Sequence, residues 1–205
     1  MKTFFIIDDH ALLKRGVSEF VEKSGKWKCS GSASSFDEAI SKLKTMQSPE
    51  LFPNVIIVDV NIEGEKNGFA LVKEILNFQK GAKCLVYSMY TSAGIIAQSF
   101  ECGATGFISK SASEKEFLTA LLTVADGSRY IEQSLVSSFI AYGNILSSLT
   151  KRERQVLDLI LQNKSNAEIA DSLGIQKRAI ENYISRIYTK VGCKNHLELE
   201  NKFLK

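Results

Sequence analysis

Five polar residues stand at the ends of short apolar runs and could do chemistry together: Asp8, Asp9, Asp59, Ser88 and Lys110. The central one is Asp59, which follows Val55–Val58 and opens a polar loop that reaches Gly68. Four β-branched residues in a row predict a strand buried on both faces, as in parallel sheets. Carboxylates that converge repel each other unless a cation binds there, and oxygen ligands of this kind suit Mg²⁺. An aspartate beside such a cation can act as a nucleophile toward phosphorus.

The elements that would position these residues alternate between strands and helices. The predicted strands are residues 3–7, 27–32, 55–58, 83–89 and 106–109, and the predicted helices are residues 11–23, 69–78 and 94–102 and those that begin after the capping residues Ser35 and Ser113. Such alternation predicts an α/β fold with a doubly wound, five-stranded parallel sheet of the flavodoxin type. The five polar residues would then meet at the carboxyl edge, where this fold has its crevice.

Residues 1–125 resemble the receiver domain of two-component response regulators, on the matching series Asp8-Asp9, Asp59, Ser88, Phe107 and Lys110. The resemblance implies that Mg²⁺ is held by Asp8, Asp9, Asp59 and the backbone carbonyl of Asn61. It also implies that Asp59 accepts a phosphoryl group, that Lys110 and Ser88 contact that group, and that Ser88 and Phe107 form the switch.

The chain departs from the receiver pattern at three places. The loop after Asp59 lacks the proline that is common there and is one residue longer than usual. Lys110 is followed by Ser111 instead of proline, and Phe107 takes the place of the frequent tyrosine. None of these changes removes a reactive group, so they concern the size of the switch.

Positive charge is concentrated near the C-terminus. Residues 148–205 contain 11 Lys and Arg against 7 Asp and Glu, whereas residues 1–125 contain 14 of each. This asymmetry predicts a polyanionic partner for the C-terminal segment alone.

Residues 148–205 also carry the signs of a helix-turn-helix. Capping boxes begin at Thr150 and Ser165, and a third helix over residues 177–191 has an apolar face that includes Ile180 and Ile184. The segment resembles the four-helix LuxR-type DNA-binding domain, and together with the receiver it places the chain in the NarL/FixJ family of response regulators. The candidate DNA-contacting residues are Lys164, Lys177, Arg178, Glu181, Asn182, Ser185 and Lys190.

Their predicted roles differ. The lysines and Arg178 are expected to contact phosphates, and Asn182 could read adenine. Glu181 stands where the family often has a lysine. It predicts lower non-specific affinity or altered specificity, unless it only pairs with Arg178 along the helix.

We therefore expect a transcription regulator that is phosphorylated by a sensor histidine kinase and binds double-stranded DNA as a homodimer through residues 196–204. It would not be an enzyme beyond its own phosphoryl transfer. Residues 126–147 would form a linker, with a helix over 134–142 and a hinge at Gly143-Asn144. Two alternatives stay open. One is a regulator that acts without phosphorylation, through protein contacts or redox chemistry at Cys102, and the other is an aspartate-based phosphatase.

Other classes are disfavoured. No apolar run approaches the roughly 20 residues that span a membrane, and the N-terminal run meets two aspartates at once, unlike a secretory signal. Four scattered cysteines with only two histidines argue against a zinc site and favour reduced thiols. We expect a cytoplasmic protein with no membrane partner.

Overall fold

The structure, a computed structural model, describes residues 1–46, 48, 50–64 and 67–203. It divides into two compact units, of which the first contains residues 1–91 and 96–134 and the second contains residues 92–95 and 135–205. Within the described residues, no helix combines the length and the apolar character that a membrane crossing requires.

The first unit is built on a parallel sheet with the strand order β2-β1-β3-β4-β5-β6, counted over the described residues. Its strands are β1 (Lys2–Ile7), β2 (Trp27–Ala33), β3 (Val55–Val58), β4 (Cys84–Ser88), β5 (Gly106–Ser109) and β6 (Tyr130–Ile131). Its helices are α1 (Ala11–Lys23), α2 (Phe36–Thr45), α3 (Gly68–Phe78), α4 (Ala93–Glu101) and α5 (Glu114–Ala125). The predicted fold class is confirmed, and the predicted strands and helices end within one residue of those observed.

The number of strands requires a correction. We predicted five, but Tyr130 and Ile131 form β6, which pairs with Gly106 and Phe107 of β5. A strand of two residues is too short to show the alternation on which sequence-based assignment depends.

The core lies on both faces of the central strands. Every residue of β3 and residues 4–7 of β1 are at most 1% exposed. Helix α5 packs Phe117, Leu121 and Val124 into this core, and its first turn is closed by the capping box of Ser113 and Glu116 that the sequence predicted. Buried strands with polar residues at their ends thus leave the chemistry at one edge of the sheet.

The second unit is helical. It comprises α6 (Gln133–Ser148), whose first two residues belong to the first unit, followed by α7 (Lys151–Leu161), α8 (Asn166–Leu173), α9 (Lys177–Val191) and α10 (His196–Phe203). The capping boxes predicted at Thr150 and Ser165 are both present. The last four helices are the predicted LuxR-type domain, and their core contains Val156, Ile169 and Leu199.

Helix α6 contradicts the predicted hinge. It is continuous through Gly143 and Asn144 and is longer than the predicted 134–142 helix. One glycine costs a helix about 1 kcal/mol. The apolar residues that follow it, Ile145 and Leu146, pack against the core of the second unit and offset this cost.

Two predictions fall partly outside the described residues. The unusual loop after Asp59 includes Glu65 and Lys66, and the predicted dimerisation segment includes Leu204.

Candidate functional sites

The carboxyl edge of the sheet brings three charged side chains into direct contact. Nζ of Lys110 lies 2.6 Å from Oδ2 of Asp8 and 2.7 Å from Oδ2 of Asp59. The side chains are 6%, 2% and 5% exposed, respectively. One ammonium group therefore bridges two carboxylates in a crevice that is largely closed to water.

Backbone pairing between parallel strands fixes this arrangement. Asp59 donates its backbone N–H to the carbonyl of Ile7 at 2.9 Å, and Lys110 donates its N–H to the carbonyl of Ser88 at 2.8 Å. Because each residue follows the last residue of its strand, the side chains arrive at the same level of the sheet.

Burial and hydrogen bonding shift the pKa values of Asp59 and Lys110 in opposite directions. Burial raises the pKa of Asp59 above its ordinary value, and the hydrogen bond from Lys110 reverses only part of that increase. Burial lowers the pKa of Lys110, but hydrogen bonds to Asp59 and Asp8 outweigh it and hold this pKa above its ordinary value. The ammonium group is therefore charged at neutral pH.

Asp9 supplies a carboxylate with a free oxygen. Its Oδ2 accepts a hydrogen bond from the backbone N–H of Glu63 at 3.2 Å. Its Oδ1 is buried and accepts no hydrogen bond among the described residues, although Nδ1 of His10 lies 2.8 Å away. That ring nitrogen is placed to hydrogen-bond with Asp8 instead, at 3.1 Å. A buried carboxylate oxygen without a donor is what a cation would satisfy.

The ligand set suits a hard cation. Asp8, Asp9, His10 and Asp59 each offer an atom within 4.8 Å of the others. Three of the four are carboxylates, which fits Mg²⁺ better than a metal that prefers nitrogen or sulfur. Sequence analysis found the three acids and missed His10, for which its position directly after the acidic pair was the available signal.

The structure ties the remaining predicted residues of this crevice to it in different ways. The Asn61 backbone contributes to lowering the pKa of the Asp59 carboxyl group, which places that backbone beside Asp59. Ser88 is fully buried, and its Oγ accepts a hydrogen bond from the backbone N–H of Tyr90 at 3.0 Å. Phe107 is fully buried in β5. All three therefore lie on elements that end at, or line, this edge.

Gly68 is a positioning residue that sequence analysis missed. It is the first residue of α3, and a Cβ atom built there would lie 2.0 Å from the backbone oxygen of Asp59 and 2.8 Å from Cα of Val60. Its N–H donates to the carbonyl of Val60 at 3.0 Å. Residue 68 can approach the backbone of Asp59 and Val60 this closely only because it has no side chain.

In the second unit, α8 and α9 form the predicted helix-turn-helix. Helix α8 ends at Gly174, which adopts the left-handed conformation with φ of 64°, and α9 begins at Lys177. Ile180 and Ile187 of α9 are fully buried in the core. The opposite face of α9 is exposed and carries five of the predicted DNA-contacting residues: Lys177, Arg178, Glu181, Asn182 and Ser185.

The other two predicted DNA contacts have different surroundings. Lys164 is exposed between α7 and α8. Nζ of Lys190 lies 2.7 Å from Oε2 of Glu153 and 3.0 Å from the carbonyl of Ser148, and Glu153 itself is buried. The Lys190 ammonium thus holds α9 to the start of α7.

Arg186 is a candidate that sequence analysis omitted. It is exposed on α9 one turn after Asn182, and the two residues line a shallow depression together with Ala179 and Tyr183. The available signal was its spacing of four residues from Asn182.

Comparison with protein families identifies the chain. The family model described as response regulator receiver domain matches residues 4–122, more than half of the 205 residues. The chain belongs to the response regulator family. A second family model, for bacterial regulatory proteins of the luxR family, matches residues 147–201 of this response regulator. The predicted NarL/FixJ-type combination of a receiver with a LuxR-type helix-turn-helix is thereby confirmed.

Individual proteins resemble this response regulator over nearly its whole length. It is 26% identical to the DNA-binding transcriptional activator DevR/DosR of Mycobacterium tuberculosis, over 97% of this chain and 92% of the relative. It is 28% identical to the oxygen regulatory protein NreC of Staphylococcus aureus, over 98% and 95%.

One solved structure with the same fold is RcsB from Salmonella enterica serovar Typhimurium, bound to promoter rprA in the presence of phosphomimetic BeF₃⁻. It has a TM-score of 0.73 at 22% identity, over 100% of this chain and 98% of RcsB.

Proposed function

We propose that this response regulator accepts a phosphoryl group on Asp59 from a sensor histidine kinase and that phosphorylation controls its binding to double-stranded DNA. The observation that carries the proposal is the buried bridge from Lys110 to Asp8 and Asp59, beside the free oxygen of Asp9. Residues 1–125 would be the phosphoacceptor domain, residues 126–147 the linker and residues 148–205 the DNA-binding domain.

The reaction transfers a phosphoryl group from a histidine imidazole to the carboxylate of Asp59. A carboxylate oxygen of Asp59 attacks the phosphorus of a phosphohistidine, the P–O bond forms, and the P–N bond breaks with its electron pair going to the imidazole. Lys110 presents its ammonium group to the incoming phosphoryl oxygens, and the group is already charged when they arrive.

Mg²⁺ fits the acids of the crevice. The groups that would hold it are Asp8, Asp9, Asp59 and the backbone carbonyl of Asn61, and the ion would add positive charge beside the phosphoryl oxygens. The orphaned Oδ1 of Asp9 is the observation that supports this set.

Ser88 and Phe107 are the proposed switch. The hydrogen bond described for Oγ of Ser88 is one that it accepts, so its own proton is free for a phosphoryl oxygen. Movement of Ser88 would change the space beside β5, where Phe107 is buried. A side chain with no exposed surface changes position only when its neighbours do.

The exposed face of α9 is the proposed DNA-reading surface. A recognition helix enters the major groove and presents its N-terminal half to the bases. Asn182 could read adenine, and Arg186, added from the structure, could read guanine. Lys164, Lys177 and Arg178 would contact phosphates, whereas Lys190 would act mainly through Glu153. The similarity to DevR/DosR, a DNA-binding transcriptional activator, and to RcsB, whose structure was solved bound to a promoter, supports this role.

Dimer formation on DNA is also part of the proposal. A dimer would place two recognition helices in successive major grooves on one side of the duplex. We propose α10 as the dimer contact and the cytoplasm as the compartment. We propose no catalytic turnover beyond phosphorylation of Asp59 and loss of that phosphate.

The experiment compares wild type with Asp59→Asn, using acetyl phosphate and Mg²⁺ as the phosphodonor. Aspartyl phosphate is followed on phosphate-affinity gels, and binding is followed on duplexes selected from a random-sequence pool. Wild type should gain phosphate, dimerise and bind more tightly, while Asp59→Asn should do none of these. Asp37→Asn, in the first turn of α2, is the matched control and should behave as wild type.

Two results would overturn the proposal. Equal responses of wild type and Asp59→Asn would show a regulator that does not use this phosphate. Continued release of phosphate from a small phosphate ester would favour the phosphatase. Chelation of Mg²⁺ by EDTA should stop phosphorylation of wild type, and an unchanged rate would contradict the assigned metal site.

A further inference from the structure

Glu132 is a buried acid that the proposed chemistry does not use. It directly follows β6 and is 7% exposed. Among the described residues, no Lys, Arg or His nitrogen lies within 4.0 Å of its carboxylate. A buried carboxylate without a cationic partner must be held by neutral donors.

Two such donors come from different elements. Oε2 of Glu132 accepts the backbone N–H of Ser109 at 2.9 Å, and Oε1 accepts the hydroxyl of Ser134 at 2.6 Å. Ser109 is the last residue of β5, and Ser134 is the second residue of α6. One carboxylate therefore joins the end of β5 to the first turn of α6.

The β5 side of this bridge lies next to the phosphorylation crevice. Ser109 directly precedes Lys110. The last residue pair between β5 and β6 is Phe107 with Ile131, and beyond it the backbone N–H of Glu132 donates to the carbonyl of Phe107. The Glu132 side chain thus takes the N–H of Ser109 where a longer strand would have supplied a carbonyl. The backbone at Lys110 is then held from both sides, by Ser88 on β4 and by Glu132 through Ser109.

The α6 side of the bridge lies where the chain leaves the first unit. Glu132 directly precedes α6, and a negative charge at the start of a helix is favourable. Hydrogen bonds from neutral groups to a carboxylate are short and stronger than neutral pairs. Two charge-assisted hydrogen bonds therefore join the end of β5 to the start of α6.

We infer that Glu132 is a positioning residue that transmits the arrival of phosphate at Lys110 to the first turn of α6. The inference rests on the proposed function. In the structure, the Lys110 ammonium is bound to Asp8 and Asp59, so contact with a phosphoryl group requires it to move. The Ser109–Lys110 backbone follows, and Glu132 shifts Ser134 with it.

The test removes one end of the bridge at a time. Ser134→Ala removes only the α6 contact, and residue 134 itself is exposed. Ser138→Ala is the matched control, because within the described part of the chain the exposed Ser138 hydroxyl bonds only to the Leu135 carbonyl of its own helix. Glu132→Leu removes both contacts. Glu132→Gln retains an acceptor for Ser109 and a donor for Ser134.

The measured quantities are the rate of Asp59 phosphorylation by acetyl phosphate and the ratio of DNA affinities with and without phosphorylation. Ser134→Ala should keep the phosphorylation of Asp59. In both Ser134→Ala and Glu132→Leu the affinity ratio should fall by about fivefold or more, the usual range of coupling between sites. Ser138→Ala should match wild type, and Glu132→Gln should recover most of the ratio lost in Glu132→Leu.

A wild-type affinity ratio in Ser134→Ala overturns the inference, whatever Glu132→Leu does. An equal loss in Ser138→Ala also overturns it, because the effect would then belong to the helix and not to the bridge. Failure of the proposed function looks different. In that case wild type and Asp59→Asn give the same ratio, before any change at Glu132 or Ser134 is considered.

Discussion

Replacement of Gly68 by alanine should damage phosphorylation of Asp59 more than it damages folding. The added Cβ would lie 2.0 Å from the carbonyl oxygen of Asp59 and 2.8 Å from Cα of Val60, and both are backbone atoms. Cβ contacts under 3.0 Å essentially never occur. Residue 68 and the Asp59 backbone must therefore separate by about 1 Å.

That displacement sets the expected magnitudes. Overpacking of this kind costs about 1–3 kcal/mol of stability. A reacting group displaced by about 1 Å loses on the order of 100-fold in rate. We therefore expect Gly68→Ala to fold, with a lower urea midpoint for the first unit, and to accept phosphate from acetyl phosphate about 100 times more slowly than wild type.

The assay measures the initial rate of aspartyl phosphate formation at saturating Mg²⁺, together with urea unfolding of the full chain. Gly81→Ala is the control, because a Cβ there meets nothing within 4 Å. A wild-type phosphorylation rate in folded Gly68→Ala would refute the view that this glycine sets the acceptor's position.

Three further predictions concern other parts of the molecule. A hydrogen bond from Lys190 holds the pKa of Glu153 below its ordinary value. The stabilisation from this pair is complete above the unfolded-state pKa and is lost as pH falls through the folded-state pKa. The urea midpoint of the second unit should therefore decrease when the pH is lowered below about 5, and it should decrease less in Lys190→Met. Arg186→Ala should relax sequence preference, whereas Lys177→Ala should weaken binding to all duplexes and reduce the salt slope by about 1. Burial raises the pKa of Cys84 to about 12, so native protein should resist thiol labelling there.

Each of these has a contradicting result. Equal pH dependence in wild type and Lys190→Met would show that the ion pair adds nothing to the stability of the second unit. An unchanged base preference in selections with Arg186→Ala would assign that residue to the backbone. Rapid labelling of Cys84 by an aromatic disulfide, mapped by mass spectrometry, would show that β4 opens in the native state.

The sequence predicted those features that leave a local signal. The apolar runs that precede Asp59 and Lys110 predicted where the strands end. Because the carboxyl ends of parallel strands lie at one edge of the sheet, they also predicted that these residues lie together. The capping boxes at Ser113, Thr150 and Ser165 were readable because each needs only two residues at a fixed spacing. Both domain types followed from the resemblance to known families that these residues carry.

The features that escaped prediction depend on contacts between distant residues. Strand β6 exists because β5 offers it a free edge, and two residues alone cannot show that. The sequence around Glu132 is typical of a surface acid, and only the structure shows that its carboxylate accepts the backbone N–H of Ser109. Gly68 looks like an ordinary loop glycine until the carbonyl of Asp59 is placed against it. Gly143 indicated a hinge, but its helix is continuous because packing against the core, which no local pattern reveals, stabilises it.

Strand β6 has one more consequence, for the behaviour of the protein at high concentration. A sheet whose last strand is buried and apolar offers unpaired N–H and C=O groups to other chains, and such edges seed aggregation. Here β6 covers β5 over two residues, and the Glu132 carboxylate takes the next donor, Ser109. At the opposite edge, β2 is interrupted by an irregular register against β1. Both margins of the sheet are thus poor templates for intermolecular strand pairing, which keeps the protein from associating through its backbone.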